Sequence, residues 1–424
     1  MDPQPLTPPT TAPLSLEQIT ADQYRAADLP LYLGCRFFTA VAMQVLSVAI
    51  GWRIYDITHS TLSLGLVGLC QFVPIFLLTL PAGDLADRFD PRRVFSLCLI
   101  ALALSGLLLC AIDFVGMHVI WPYFAVLLII GASRGLAGPS SQSLVPYLVP
   151  REQLPRSIAW SSSTFQVAVI VGPACGGLLY ALGPMAAFGT SAACFLIAGL
   201  ALTYLKGRRR PDLSGTHAGA VARIAEGIAF VRRRPIILGA LSLDLFAVLL
   251  GGATALLPAY ARDILFVGPI GLGLLRSAPA FGAALMAVSI GRHPIARHAG
   301  LKMFIGVAIF GIATIIFGLS RNFYLSLAAL AVLGAADMVS VYVRQSLVQL
   351  SVPDAMRGRV SAVNVLFIGT SNELGEFESG VTAAWFGTEP SVVIGGVGTL
   401  LIVALWMRFF PSIRKIDRLQ EIAA

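Results

Sequence analysis

Glu373 and Glu376 stand three residues apart within 361–386, a stretch otherwise rich in Val, Phe, Ile and Gly. Three-residue spacing puts both carboxylates on one helical face, whereas Glu378, rotated by about 140° from Glu373, points elsewhere. Carboxylates in a poorly hydrated site exchange protons near neutral pH, so this pair reads as a proton-handling group, with Asn372 beside it. Further charges sit inside apolar runs: Arg36 near the start of 31–54, Arg134 deep in 119–139, Asp244 in 236–261 and Asp337 in 323–346. A charge at the middle of a bilayer costs roughly 2.5–3.5 kcal/mol, so each requires a reason. Asp244 has no neighbour in sequence to neutralise it, which makes it a proton-binding candidate. Arg134 calls for an ion pair or a substrate contact. The alternative for every acid is a plain ion pair with Arg36, Arg134 or Arg276, and Arg36 has the further option of snorkelling to the interface.

Composition says where such runs belong. Hydrophobic residues make up 57% of the 424-residue chain and charged ones 12%, against roughly 45–50% and about 25% in soluble domains. A soluble protein of that balance could not cover its surface, so the expectation is an all-α integral membrane protein. The net charge of +8 does not signal nucleic acid, because the basic residues fall in short polar breaks between apolar runs. The cysteines (Cys35, Cys70, Cys98, Cys110, Cys175 and Cys194) lie in apolar stretches without a CxxC pair and read as packing thiols. No histidine has ligand spacing, so no metal is expected. There is no P-loop, GxSxG or His-Glu-x-x-His, which argues against an enzyme and against ATP-driven pumping by this chain.

Spans are expected at 31–54, 62–82, 94–116, 119–139, 160–182 and 185–205, then at 236–261, 268–290, 301–319, 323–346, 361–386 and 390–410. That makes twelve transmembrane helices in two pseudo-symmetric six-helix halves, 30–205 and 236–410. They are flanked by a tail at 1–29, a linker at 206–235 and a tail at 411–424. Lys and Arg crowd one set of alternating connections, while the other set has only Arg53, Arg262 and Arg321, so both termini are expected in the cytoplasm. Trp52, Trp121, Trp160, Trp385 and Trp406 fall near span ends, as an aromatic belt requires. Within the linker, Val221, Ile224, Ile228 and Val231 have helical spacing among arginines, which predicts an amphipathic helix on the anionic inner leaflet.

The halves repeat at an offset of 203 residues. Gln142-Ser143-Leu144-Val145 falls on Gln345-Ser346-Leu347-Val348, Val149-Pro150 on Val352-Pro353, Arg156 on Arg359 and Gly172 on Gly375. Arg134 falls on Asp337, so opposite charges occupy equivalent places. Two related halves facing each other place a substrate site near the midplane. Arg344, Arg357 and Arg359, near the span ends, read as interface anchors or gating residues.

The densest charge lies at Gly83-Asp84-Leu85-Ala86-Asp87-Arg88-Phe89-Asp90-Pro91-Arg92-Arg93, read as a short loop between the second and third spans. In motif and position it resembles the signature loop of the major facilitator superfamily, and the likeness covers about 30–410. One departure is Asp90-Pro91, where the common form has Gly-Arg; Asp-Pro still makes a tight turn and opens a helix. The resemblance implies a transporter whose loop residues Gly83, Asp87, Arg88, Arg92 and Arg93 latch the halves on the cytoplasmic side. The equivalent Gly291–Arg297 stretch has no acid, so the latch must grip from the first half. Gly172-Pro173-x-x-Gly176-Gly177 resembles the antiporter motif of proton-coupled drug exporters, with Ala168 in place of its first glycine. Asn372 to Gly380 is similar to the branch containing bacterial enterobactin exporters. Together these imply an exporter in a bacterial inner membrane, moving a siderophore, drug or amphiphilic metabolite against proton entry. It would act as a monomer, with the bilayer and a small molecule as partners and no cofactor beyond the proton gradient. An importer or facilitator on the same fold, for instance for a lysophospholipid, and a transporter-like sensor that moves nothing, are the alternatives.

Overall fold

A computed structural model of the chain describes residues 27–116, 119–205, 220–295 and 297–418. Six long helices form the first group: α1 (Asp28–Thr58), α2 (Thr61–Arg88), α3 (Pro91–Phe114), α4 (Trp121–Gln142), α5 (Leu154–Ala181) and α6 (Pro184–Thr203). A connecting helix, α7 (Ala220–Arg232), leads to α8 (Pro235–Leu250), α9 (Gly268–Arg292), α10 (Ala299–Leu319), α11 (Phe323–Ser351), α12 (Asp354–Phe386) and α13 (Thr388–Phe409). Among the described residues, eleven helical segments are long and apolar enough to cross a membrane. The remaining long helix, α12, has 33 residues but carries Glu373, Glu376 and Glu378, which lower its apolar character. Large apolar side chains such as Leu97 (66% exposed) and Leu285 (58%) face outward on helices that are hydrophobic nearly all round. That is the surface of a protein whose solvent is lipid.

Helix starts follow from local chemistry. Proline occupies the first turn of α3, α4, α5, α6, α8 and α9, where no amide partner is lost. The Asn322 side chain accepts the Tyr324 and Leu325 amides to open α11. The charged stretch after the second span is not the loop its composition predicts. The α2 backbone runs helical through Arg88, and only Phe89 and Asp90 separate it from α3. Nothing in Gly83–Arg88 breaks a helix, and a helix crosses from lipid into water without unwinding. The turn is instead set by Pro91, with Asp90 extended (φ −63°, ψ 117°) and its carboxylate accepting the Arg92 amide at 3.0 Å.

A large apolar core joins α1, α3, α4 and α6. Two others form among α8 to α13, one of them also taking in Val48 of α1. Between the groups the main seams are α2 against α12 and α5 against α9. Both seams are laid on small residues. A Cβ on Gly65 would lie 3.0 Å from the Gly380 Cα, and one on Gly177 3.1 Å from the Gly273 Cα.

The seventh span departs from the expected single helix. α8 ends at Leu250, and the chain passes Gly251-Gly252 into a 3-10 turn (Ala253–Leu256) and a π-helical turn (Tyr260–Ile264). Gly252 packs against α12, where a Cβ would stand 2.7 Å from the Gly375 carbonyl oxygen. The linker helix departs as well. Ile228, Phe230 and Val231 pack with Ile237, Val348, Val352, Val360 and Val363, and Glu226 pairs with Arg359 at 3.0 Å. The Ile228 and Val231 part of its apolar stripe is thus satisfied by α8, α11 and α12, while the side chains of Val221 and Ile224 lie outside the described residues.

Candidate functional site

The broken span, α12 and the first-group helices α1, α2 and α4 enclose a central cavity of about 270 Å³. Four ionisable side chains reach it: Arg134 from α4, Arg276 from α9, and Glu373 and Glu376 from α12. Gln44, Ser47, Gln71, Thr254 and Asn372 supply neutral polar groups, and Leu46, Ile50, Leu127, Ile130 and Val248 the apolar wall. The three-residue spacing of the two glutamates does place both on one surface. Glu378 turns away and accepts hydrogen bonds from Thr382 (2.8 Å) and Ser379 (3.5 Å).

Two of these contacts cross between the helix groups. Arg134 Nη1 donates to Gln71 Oε1 at 2.7 Å and lies 3.2 Å from Glu373 Oε1, with the Glu373 side chain 12% exposed. Arg276 Nη2 donates to Ser47 Oγ at 2.8 Å. Glu376 is seated against α2, where a Cβ on Gly68 would lie 2.8 Å from the Glu376 Cβ and 3.1 Å from its Oε2. Among the described residues neither Arg276 nor Glu376 has an ion-pair partner within 4.0 Å.

The other intramembrane charges lie elsewhere. Asp244 does not stand alone: it forms an ion pair with Arg344 of α11, both buried, away from the cavity lining. Arg344 is correspondingly not an interface anchor. Helix α11 turns it inward onto α8, because a buried guanidinium needs an acid and Asp244 is the acid it meets. Asp337, two turns before Arg344 on the same face of α11, is half-buried and does not meet Arg134, despite their equivalent places in the repeat. Arg36 donates to Tyr32 Oη at 3.2 Å and sits 5.6 Å from the Phe165 ring centroid. It lies two turns from the cavity residue Gln44.

The antiporter-like residues Gly172, Pro173, Gly176 and Gly177 are all buried. A Cβ on Gly172 would meet Gln44 Cβ at 2.6 Å, and one on Gly176 would meet Val45 Cα at 2.9 Å. These glycines let α5 close onto α1 and α9. Of the signature residues, Arg92 donates to the Leu205 carbonyl at 2.9 Å and Arg93 is exposed, while the side chains of Gly83, Asp87 and Arg88 lie outside the described residues.

At the end of the bundle opposite the start of α1 at Asp28 and the end of α13 at Phe409, termed the distal end, a second charged network closes the bundle. Arg262, in the π-helical turn that ends the broken span, pairs with Asp56 of α1, and the Tyr55 hydroxyl donates to Asp263 Oδ2 at 2.5 Å. Arg53 binds Asp113 at 2.6 Å and lies 3.5 Å from Asp56. In the sequence Arg53 and Arg262 stand out only as sparse cations of one set of connections. Their proximity to acids of other helices has no signature in residue spacing.

Membrane-crossing helices in two packed groups, closed at one end over a charged cavity on the seam between them, define a transporter of the major facilitator type. The chain belongs to the transmembrane secretion effector family of that superfamily, whose model matches residues 32–423. It is a membrane transporter, not an enzyme. The enterobactin exporters EntS of Shigella boydii serotype 18 and of Escherichia coli O1:K1 are each 28% identical over 392 residues, covering 90% of this chain and 91% of theirs. Among solved structures, a bacterial homolog of the human lysosomal transporter Spinster, inward-facing and unoccupied, matches with a TM-score of 0.72 at 15% identity, covering 93% of this chain and 99% of that one. The POT family transporter PepTSo matches with a TM-score of 0.73 at 11% identity and the same coverages.

Proposed function

We propose that the chain exports a small organic molecule by alternating access, in exchange for protons entering down their gradient. The observation that carries this reading is the pair of acids, Glu373 and Glu376, sharing one cavity with Arg134 and Arg276 across the seam between the helix groups. The termini are assigned to the cytoplasm of a bacterial inner membrane, so the closed distal end faces outward and the cavity is loaded from inside. Similarity to proteins named as enterobactin exporters supports the outward direction, with a siderophore, drug or amphiphilic metabolite as cargo. The working unit is a monomer in the bilayer and requires no cofactor beyond the proton gradient.

The chemistry follows from the contacts. Opening the distal end separates Asp56 from Arg262 and admits protons to the cavity. A proton on Glu373 removes its attraction for Arg134, which loosens the contact between α4 and α12. A proton on Glu376 removes the negative charge that would hold the cationic part of a cargo. Uptake of protons and release of cargo then compete for the same carboxylates, which is the condition for exchange. Asp87, at the proximal end of α2, is proposed to latch the opposite closure.

Reconstituted vesicles with an imposed pH gradient test this. Accumulation of a transported dye or drug should follow the gradient in wild type and lose that dependence in Glu373→Gln and Glu376→Gln. Accumulation indifferent to the gradient in wild type, or full gradient dependence in both variants, would refute proton coupling.

A further inference from the structure

We infer that the cargo is a zwitterion, with its anionic group on Arg276 and its ammonium on Glu376. This inference rests on the central cavity being the transport site. The four ionisable groups of that cavity are not equivalent. Arg134 and Glu373 satisfy one another at 3.2 Å, with Gln71 as a further acceptor. Among the described residues Arg276 has the neutral Ser47 hydroxyl and no ion-pair partner within 4.0 Å, and Glu376 likewise has no ion-pair partner. The pocket therefore presents one guanidinium and one carboxylate that face the same space without reaching each other.

Charge balance then selects the ligand. The lining carries two cations and two anions, so the empty cavity is neutral with its acids ionised. A zwitterion leaves it neutral and supplies a partner to each unmatched group. A purely cationic ligand on Glu376 brings its charge toward Arg276, and a purely anionic ligand on Arg276 brings its charge toward Glu376. In a poorly hydrated site those like-charge contacts are costly. The guanidinium is suited to a carboxylate by its fork of donors. The carboxylate of Glu376 accepts from an ammonium, and a proton arriving there displaces that ammonium directly. Glu373 on the same helix and Arg134 across the seam are the other ionisable groups facing Glu376, and they neutralise one another. The volume of about 270 Å³ suits a molecule of amino-acid or dipeptide size, with the apolar wall of Leu46, Ile50, Leu127 and Ile130 covering its side group.

Three compounds on one skeleton test the assignment: phenylalanine, its amide (ammonium only) and N-acetylphenylalanine (carboxylate only), with the same three forms of tryptophan and of glycylphenylalanine. Ligand-induced thermal stabilisation of the purified full chain is the readout. On at least one skeleton, the zwitterion should reach half-maximal effect at a concentration at least tenfold below either single-charge form. Arg276→Gln should erase the preference over the amide, and Glu376→Gln the preference over the acetylated form. Arg276→Lys and Glu376→Asp keep the charges and should keep the preference, which separates recognition from misfolding. The assignment is overturned by stabilisation from the single-charge forms alone, by equal stabilisation from all three, by none from any of the nine, or by unchanged preference in both glutamine variants. Transport in vesicles separates this from the broader reading. Gradient-driven movement of singly charged amphiphiles alone would sink the zwitterion and leave proton-coupled transport standing. Zwitterion binding with transport indifferent to the gradient would do the reverse.

Discussion

Replacing Asp244 by asparagine distinguishes a structural acid from a proton carrier. The Asp244–Arg344 pair is nearly sealed, with side-chain exposures of 8% and 3%. Removing the carboxylate leaves a guanidinium in an apolar interior, and the Arg344 Nε already lacks a partner among the described residues. Breaking a buried pair from one side costs about 3–5 kcal/mol. Asp337 on the same face of α11 offers partial compensation, which places the expected loss near the lower bound, about 3 kcal/mol, or roughly a hundredfold in the folding equilibrium. The assay is thermal melting of the purified protein, paired with gradient-driven transport in vesicles. Asp244→Asn should melt well below wild type. The double variant Asp244→Leu, Arg344→Met should recover most of the loss, because two matched apolar groups need no partner. It should also transport in a gradient-dependent manner. If Asp244→Asn melts like wild type yet loses its response to the gradient, Asp244 is the coupling acid and the assignment to Glu373 and Glu376 is wrong.

Arg262→Gln removes the distal ion pair while Asp56 keeps Arg53 at 3.5 Å. For this partly exposed pair the loss is about 1 kcal/mol, so roughly fivefold more distal-open protein is expected. Labelling of Ile50→Cys by a membrane-impermeant thiol reagent, in a background without the native cysteines, should rise accordingly; unchanged labelling would refute the clasp. Gly68→Ala puts a methyl group 2.8 Å from the Glu376 Cβ and 2.9 Å from the Glu373 carbonyl oxygen. It should cost about 1–3 kcal/mol in melting measurements and shift the pH dependence of transport, since the displaced group is Glu376 itself. Gly177→Leu forces α5 from Gly273 of α9 and should destabilise by a similar amount with no effect on ligand charge preference, which thermal shift with the phenylalanine series would check.

Much of the architecture is legible in the residues because lipid imposes a strong rule: backbone polar groups must be satisfied within the segment, so long apolar runs are helices. The first-group and second-group spans appear near their expected places for that reason. The pairing of Glu373 with Glu376 on one surface is legible too, since helical periodicity alone determines which side chains share a face. Composition does not set the boundaries of the elements. Polarity at Gly83–Arg93 marked an interface, but polarity does not unwind a helix, and the turn waits for Asp90-Pro91. The Gly251-Gly252 break has no signature inside its apolar run, because glycine permits a break without requiring one.

Which charges meet is a different kind of fact. Arg134 is 239 positions from Glu373, and Asp244 is 100 from Arg344; neither pairing follows from spacing or from the internal repeat, which pointed from Arg134 to Asp337. The sequence by itself determined that this is a helical membrane protein with acids and bases inside its spans, because the hydrophobic effect and periodicity act locally along the chain. Only the tertiary structure decided that Asp244 is spoken for by Arg344 while Arg276 and Glu376 face one cavity unmatched. Coulombic pairing depends on distance through space, and the packing of α2 on α12 and α5 on α9 sets those distances.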